Sequence, residues 1–100
     1  MKSPERCKSI DEVREAIDLL DKKIIKLFGK RSKYVKKIVK FKNKDKDSII
    51  AKERYDNVIA SRREIAQSFG LNPDIIEAVY RKLLDYFIEE EFNELKKDNL

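Results

Sequence analysis

The sequence contains no histidine. That absence removes the commonest general base near neutral pH and, with it, every Ser–His or Cys–His nucleophile. There is one cysteine, Cys7, so no disulfide can close within the chain and no Cys/His cluster exists to hold zinc. No metal is expected, and a reducing, cytoplasmic setting fits. Glycine and proline number two each, which leaves no Gly-rich phosphate loop and too few turn residues for a sheet protein. No apolar run approaches the roughly 18 residues of a membrane span. The N-terminus, MKSPERCKSIDEV, lacks the apolar core of a signal peptide. Any chemistry must rest on Arg, Lys, carboxylates and shape.

Charged residues make up 43% of the chain and hydrophobic residues 41%. The charged fraction alone would suit a disordered segment, but the apolar residues recur at helical spacing, which argues for an all-α fold. One domain is expected over residues 1–100, with helix 1 at about 10–42, helix 2 at about 50–69 and helix 3 at about 73–96. Ser9 with Glu12 three residues on reads as a capping box at the start of helix 1. Ile10, Ile17, Ile24 and Ile38 fall on one heptad column; Val13, Leu20, Leu27, Tyr34 and Phe41 fall on the other. Residues 43–48 form a polar connection. Helix 2 carries Ala51, Tyr55, Val58, Ile59, Ile65, Ala66 and Phe69, and Gly70 stops it. Asn72 and Pro73 restart the chain as N-cap and first helical residue, and helix 3 carries Ile76, Tyr80, Leu84, Phe87 and Leu95.

Helix 1 is too long for a lone globule. At 1.5 Å per residue it would extend roughly 50 Å, against a radius of gyration of about 13 Å for a compact chain of this length. Its apolar stripe needs a second copy beside it, so an intertwined homodimer is expected.

Several residues break the stripes. Arg31 occupies the column of Ile17, Ile24 and Ile38, where a charge is costly unless paired. Lys42 follows about three turns later, nearly on the same face. Arg14 lies beside the stripe at the other end, Arg54 sits within one turn of Tyr55 and Val58, and Glu91 lies on the stripe of Leu84, Phe87 and Leu95. Any one of these could snorkel or form a structural ion pair. Together, four inward cations against one carboxylate call for an anion, and a compact dicarboxylate supplies it in the form that Arg grips best. Arg14 and Arg31 are 17 residues apart, about 25 Å along one helix. A small ligand cannot touch both within one chain. In an antiparallel dimer, Arg14 of one protomer can approach Arg31 and Lys42 of the other, giving two shared sites.

This layout resembles the all-helical chorismate mutase superfamily, whose members are intertwined three-helix dimers, and the likeness covers nearly the whole chain. Its motif is an Arg early in helix 1, an Arg and then a Lys late in helix 1, an Arg early in helix 2, and Gln or Glu late in helix 3. Here those are Arg14, Arg31, Lys42, Arg54 and Glu91. The resemblance implies that Arg31 and the partner's Arg14 hold the two substrate carboxylates, and that Arg54 orients a carboxylate or its neighbours. It implies that Lys42 and Glu91 contact the ether oxygen of the breaking bond, and that Val35 and Phe87 line the pocket. No cofactor is implied, because the reactions are pericyclic. Within the superfamily, the stretches Met1–Glu5 with Cys7, Val13–Asp18, Tyr34–Lys36 and Phe41–Lys42 are most similar to the isochorismate–pyruvate lyase branch, which forms salicylate. Tyr55 stands where mutases usually carry a Glu for the substrate's ring hydroxyl, which agrees with a lyase. Glu91, where the lyase pattern has Gln, is similar to some fungal mutases. The favoured expectation is isochorismate conversion to salicylate and pyruvate with side chorismate mutase activity; the alternative is chorismate mutase proper.

Three other readings stay open. A helical dimerisation module explains the heptads but not the inward Arg31, Lys42 and Glu91. A nucleic-acid binder would use Lys36, Lys37, Lys40, Lys44 and Lys46 and the net charge of +5, yet no aromatic residues interleave with that run for base stacking, so no nucleic-acid partner is expected. A regulatory domain detached from a larger enzyme is the third; a chain beginning with Met and ending in a charged tail reads rather as a stand-alone protein.

Overall fold

The structure, a computed structural model, describes residues 1–42 and 50–98. It is all-helical: a short 3-10 turn (Pro4–Arg6) precedes α1 (Ile10–Ile38), α2 (Lys52–Ser68) and α3 (Pro73–Asp98). No strand occurs among the described residues. By its internal contacts the chain divides into two compact units, Met1–Lys33 and Tyr34–Leu100. The polar connection expected at 43–48 lies outside the described residues.

In the first unit the N-terminal segment is tied to the start of α1. The Glu12 N–H donates to Ser9 Oγ at 3.1 Å, as a capping residue requires. The Glu12 carboxylate reaches back one residue further than the capping box expects: it accepts the Lys8 N–H at 2.7 Å and the Lys2 ammonium at 2.9 Å. Lys2 and then the Lys8 N–H hold the Glu12 carboxyl below its ordinary value. No residue of α1 is buried within the chain. Ile17, Leu20 and Ile24 are each about half exposed, and Ile10 and Leu27 more so.

α1 ends four residues before the expected Lys42. Beyond Ile38 the backbone tightens: Lys40 N–H donates to Lys37 C=O at 3.1 Å and Phe41 N–H to Ile38 C=O at 2.9 Å. These i→i+3 bonds use a three-residue turn, which rotates the following residues off the helical stripe. Val39 is the most buried of the described residues, at 1% exposure, while Phe41, placed by periodicity on the apolar column, is 80% exposed. Lys37 lies over the Phe41 ring.

In the second unit α2 packs against α3. Val58, Ile59 and Leu84 form the core, with Tyr55 and Tyr80 packed on it. Ile65 and Phe69, expected on the same stripe, are exposed. α2 closes with a Schellman motif: Leu71 N–H donates to Ala66 C=O at 2.9 Å and Gly70 N–H to Gln67 C=O at 3.1 Å. Gly70 adopts φ 73°, a conformation that glycine takes without a Cβ penalty. That left-handed step turns the residues after Gly70 out of the helix. Asn72 Oδ1 then accepts the Asp74 N–H at 2.9 Å, starting α3 with Pro73 in its first turn. Across the two helices, Arg63 bridges Asp74 and Glu77 at 2.9 and 2.8 Å, and Arg81 holds the other Glu77 oxygen at 2.8 Å.

Candidate active site

The chemistry-bearing feature of the second unit is an ion pair between the turn after α1 and the last third of α3. Lys42 Nζ donates to Glu91 Oε1 at 3.0 Å and approaches Oε2 at 3.4 Å. The side chains are 22% and 7% exposed. Glu91 is the buried charged residue among the described ones. Phe87, one turn earlier on the same face of α3, is buried as well.

Each element has a local reason to deliver its residue here. Leu84, Phe87 and Glu91 recur at i, i+3 and i+7, so the stripe that packs Leu84 into the core also points Glu91 inward. The tight turn that buries Val39 takes Lys42 off the α1 helix. A lysine at this point reaches α3 because the helix has stopped, not because it continues three turns past Arg31. Val39 lies off both heptad columns and gave no signal in the sequence.

The remaining expected residues are placed as follows. Arg31 is partly buried on α1 and Arg14 is exposed near its start. They stand 17 residues apart on one continuous helix, so no small ligand spans them within one chain. Val35 is half-buried in the last turns of α1. Arg54 is exposed in the first turn of α2, directly after Ala51, whose φ of 46° turns the chain into that helix.

Tyr55 is occupied elsewhere. Its hydroxyl donates to Asp85 Oδ1 at 3.0 Å, and the Arg81 guanidinium lies over its ring. Burial, and then the Asp85 carboxylate, push the phenol above its ordinary value. The side chain is committed to the α2–α3 interface. Among the described residues no group of three or more His, Cys, Asp or Glu could hold a metal ion, and no helix is long and apolar enough to cross a membrane.

A helical chain that presents a partly buried lysine on a buried glutamate, with arginines spaced along its first two helices, has the make-up of an enzyme that handles a small anion by charge and shape. Residues 13–92 match the family Chorismate mutase type II, and the chain belongs to that family. Among individual proteins, it is 33% identical over 91 residues to an isochorismate pyruvate lyase of Pseudomonas aeruginosa, covering 91% of this chain and 89% of that protein. It is 34% identical over 86 residues to a T-protein of Haemophilus influenzae and 35% identical over 72 residues to a T-protein of Enterobacter agglomerans. The chain covers 84% and 72% of its own length in those two matches, but spans 23% and 19% of the T-proteins.

Proposed function

We propose that the chain is an isochorismate–pyruvate lyase, splitting isochorismate into salicylate and pyruvate, with chorismate mutase activity as a side reaction. The observation that carries this reading is similarity along almost the full length of a lyase, where the T-proteins match only over a fraction of theirs. Tyr55 supports it. The residue standing where mutases place a ring-hydroxyl ligand is a phenol already bonded to Asp85.

Both reactions are pericyclic. The ether C–O bond breaks as bonds reorganise within the substrate, so no base, covalent intermediate or cofactor is required. The protein's tasks are to select the compact conformer and to stabilise negative charge growing on the ether oxygen. In this reading Lys42 supplies that stabilisation. Glu91 holds Lys42 in position before substrate arrives, and assists the ether oxygen only as the neutral acid, since a carboxylate there would repel it. Arg31 and the partner subunit's Arg14 hold the substrate carboxylates, Arg54 orients one of them, and Val35 and Phe87 supply apolar walls.

The shared site requires a homodimer. The half-exposed stripe of α1 supports one: Val13, Ile17, Leu20 and Ile24 are 42%, 49%, 46% and 46% exposed in the single chain. Completing the burial of one such side chain is worth about 1 kcal/mol or more, and each contributes twice in a symmetric pair.

The test is a parallel assay of purified protein with isochorismate and chorismate, following salicylate by fluorescence and prephenate by absorbance. Salicylate release well above prephenate formation is expected. Prephenate alone would make the chain a mutase, and silence on both substrates would leave a helical dimerisation module.

A further inference from the structure

The first turn of α2 has little of its own to hold it. It opens at Ala51, which takes φ 46° and supplies no side-chain cap. That left-handed backbone is disfavoured for a residue with a Cβ, and a helix start without a capping side chain leaves its first N–H groups without a partner from the chain. Lys52 bonds within the helix, to Asp56 at 3.0 Å. Both side chains are largely exposed, and such a pair contributes little. Among the described residues, no side chain from Ala51 to Arg54 bonds to α3. A helix end in this condition frays unless something further along ties it down.

Tyr55 is that tie. Its ring packs on the core of Val58, Ile59 and Leu84, and its hydroxyl donates to Asp85 Oδ1 at 3.0 Å. Asp85 directly follows Leu84, so the acceptor rides on the turn of α3 that builds the core. A hydrogen bond to a carboxylate is roughly twice as strong as one between neutral groups. The other end of α2 has separate anchors, in the bridges from Arg63 to Asp74 and Glu77. Arg54 stands one residue before Tyr55, a rise of about 1.5 Å and a turn of about 100° round the helix. Its side chain is exposed and has no bonding partner among the described residues. What fixes the direction of its Cα–Cβ bond is the turn that Tyr55 holds.

We propose that Asp85 is a positioning residue for Arg54: by holding the Tyr55 hydroxyl it fixes the first turn of α2, and with it the direction from which Arg54 meets a substrate carboxylate. This rests on the role given to Arg54 above. Asp85 touches no substrate; it acts through Tyr55 and the backbone between Tyr55 and Arg54. An arginine on a fixed turn avoids the ordering cost that a loose one meets each time a ligand binds. That cost falls on binding, alike for the substrate and its transition state, so the effect belongs to KM rather than to kcat.

The test measures steady-state formation of salicylate and prephenate by the full-length parent and by Tyr55→Phe, Asp85→Ala, Asp85→Asn and the double variant Tyr55→Phe/Asp85→Ala, each also combined with Arg54→Ala. Circular dichroism and urea denaturation show which variants are folded; Tyr55→Phe keeps the ring on the core and removes only the donor. Tyr55→Phe and Asp85→Ala are each expected to raise KM about three- to tenfold, with kcat within about twofold of the parent. The double variant goes no further than either single change, because both remove the same bond. Asp85→Asn, whose amide oxygen still accepts the phenol proton, keeps KM within about twofold of the parent. Combined with Arg54→Ala, none of these changes moves KM further. A bond that only stabilises the fold would lower the urea midpoint and leave KM of the folded variants where it was. That result, or a rise in KM that persists without Arg54, overturns the inference and leaves the lyase reading standing. A parent that converts neither substrate overturns the reading of the site, and this inference with it.

Discussion

Removing the Lys42 ammonium should cost turnover far more than binding. The structure sets the scale. Lys42 Nζ lies 3.0 Å from a carboxylate oxygen, and its side chain is only 22% exposed. Two opposite unit charges at that separation attract by about 5 kcal/mol at an effective dielectric of about 20. The ether oxygen of a breaking C–O bond carries a fraction of a unit charge at the transition state, so about half of that, roughly 3 kcal/mol, is the stabilisation at stake. Loss of one donor to a developing oxyanion is of the same size and slows turnover about 10²- to 10³-fold. Lys42→Ala is therefore expected to lower kcat by about that factor while KM, set mainly by the arginines in the proposed reading, moves by about threefold or less. The assay is steady-state salicylate release, with sedimentation and circular dichroism showing that the variant keeps the parent's assembly and helicity. A folded Lys42→Ala protein whose kcat stays within a few-fold of the parent would falsify the assignment of Lys42 to the reacting bond.

Three further outcomes follow from the same structure. Glu91→Gln, which keeps a hydrogen-bonding partner for Lys42 without the charge, should retain or gain activity near neutral pH; a dead but folded Glu91→Gln would sink this. Ile59→Ala removes three carbons from the α2–α3 core at a site only 5% exposed; with Tyr55 fixed by Asp85 the space collapses poorly, so urea denaturation should show a loss of about 3 kcal/mol. Glu77 is held below the ordinary carboxylate value by Arg81 first and Arg63 second, so its contribution to stability is present above the ordinary value of 4.5 and is lost as pH falls through the lowered one: Glu77→Gln should melt earlier than the parent at neutral pH, with the gap closing in acid, and a pH-independent gap would remove the ion pair as its cause.

The starts and stops that depend on local chemistry were legible in the sequence. Ser9 and Glu12, Gly70, and Asn72 with Pro73 each act through their immediate backbone neighbours, and each marks a helix end in the structure. The end of α1 was not legible, because no Gly, Pro or capping side chain marks it. The helix stops where Val39 becomes buried and Lys42 engages a residue 49 positions later, and a long-range contact of that kind leaves no trace in local spacing. Phe41, Ile65 and Phe69 share this origin: periodicity assumes a continuing helix with a partner along its whole apolar side, whereas each of them is exposed in the single chain.

The inward charges were legible for a different reason. Arg31 and Glu91 stood out because each spoils an apolar stripe, and a charge kept at such a place must be offset by something. For Glu91 the structure supplies one answer in Lys42, and that answer bears on how the site works. A carboxylate that already faces the key ammonium competes with any incoming anion, so a substrate is accepted only if it offers that ammonium more than Glu91 does, or if Glu91 takes up a proton as it binds. In the proposed reading the arginines, rather than Lys42, provide the binding energy of a dicarboxylate, which offsets whatever Lys42 gives up in turning from Glu91. The growing charge on the ether oxygen then claims Lys42 only as the bond breaks. An interaction weak toward the bound substrate and strong toward its transition state is what turns binding into catalysis, and in the proposed reading Lys42 makes that interaction, most fully when Glu91 carries no competing charge.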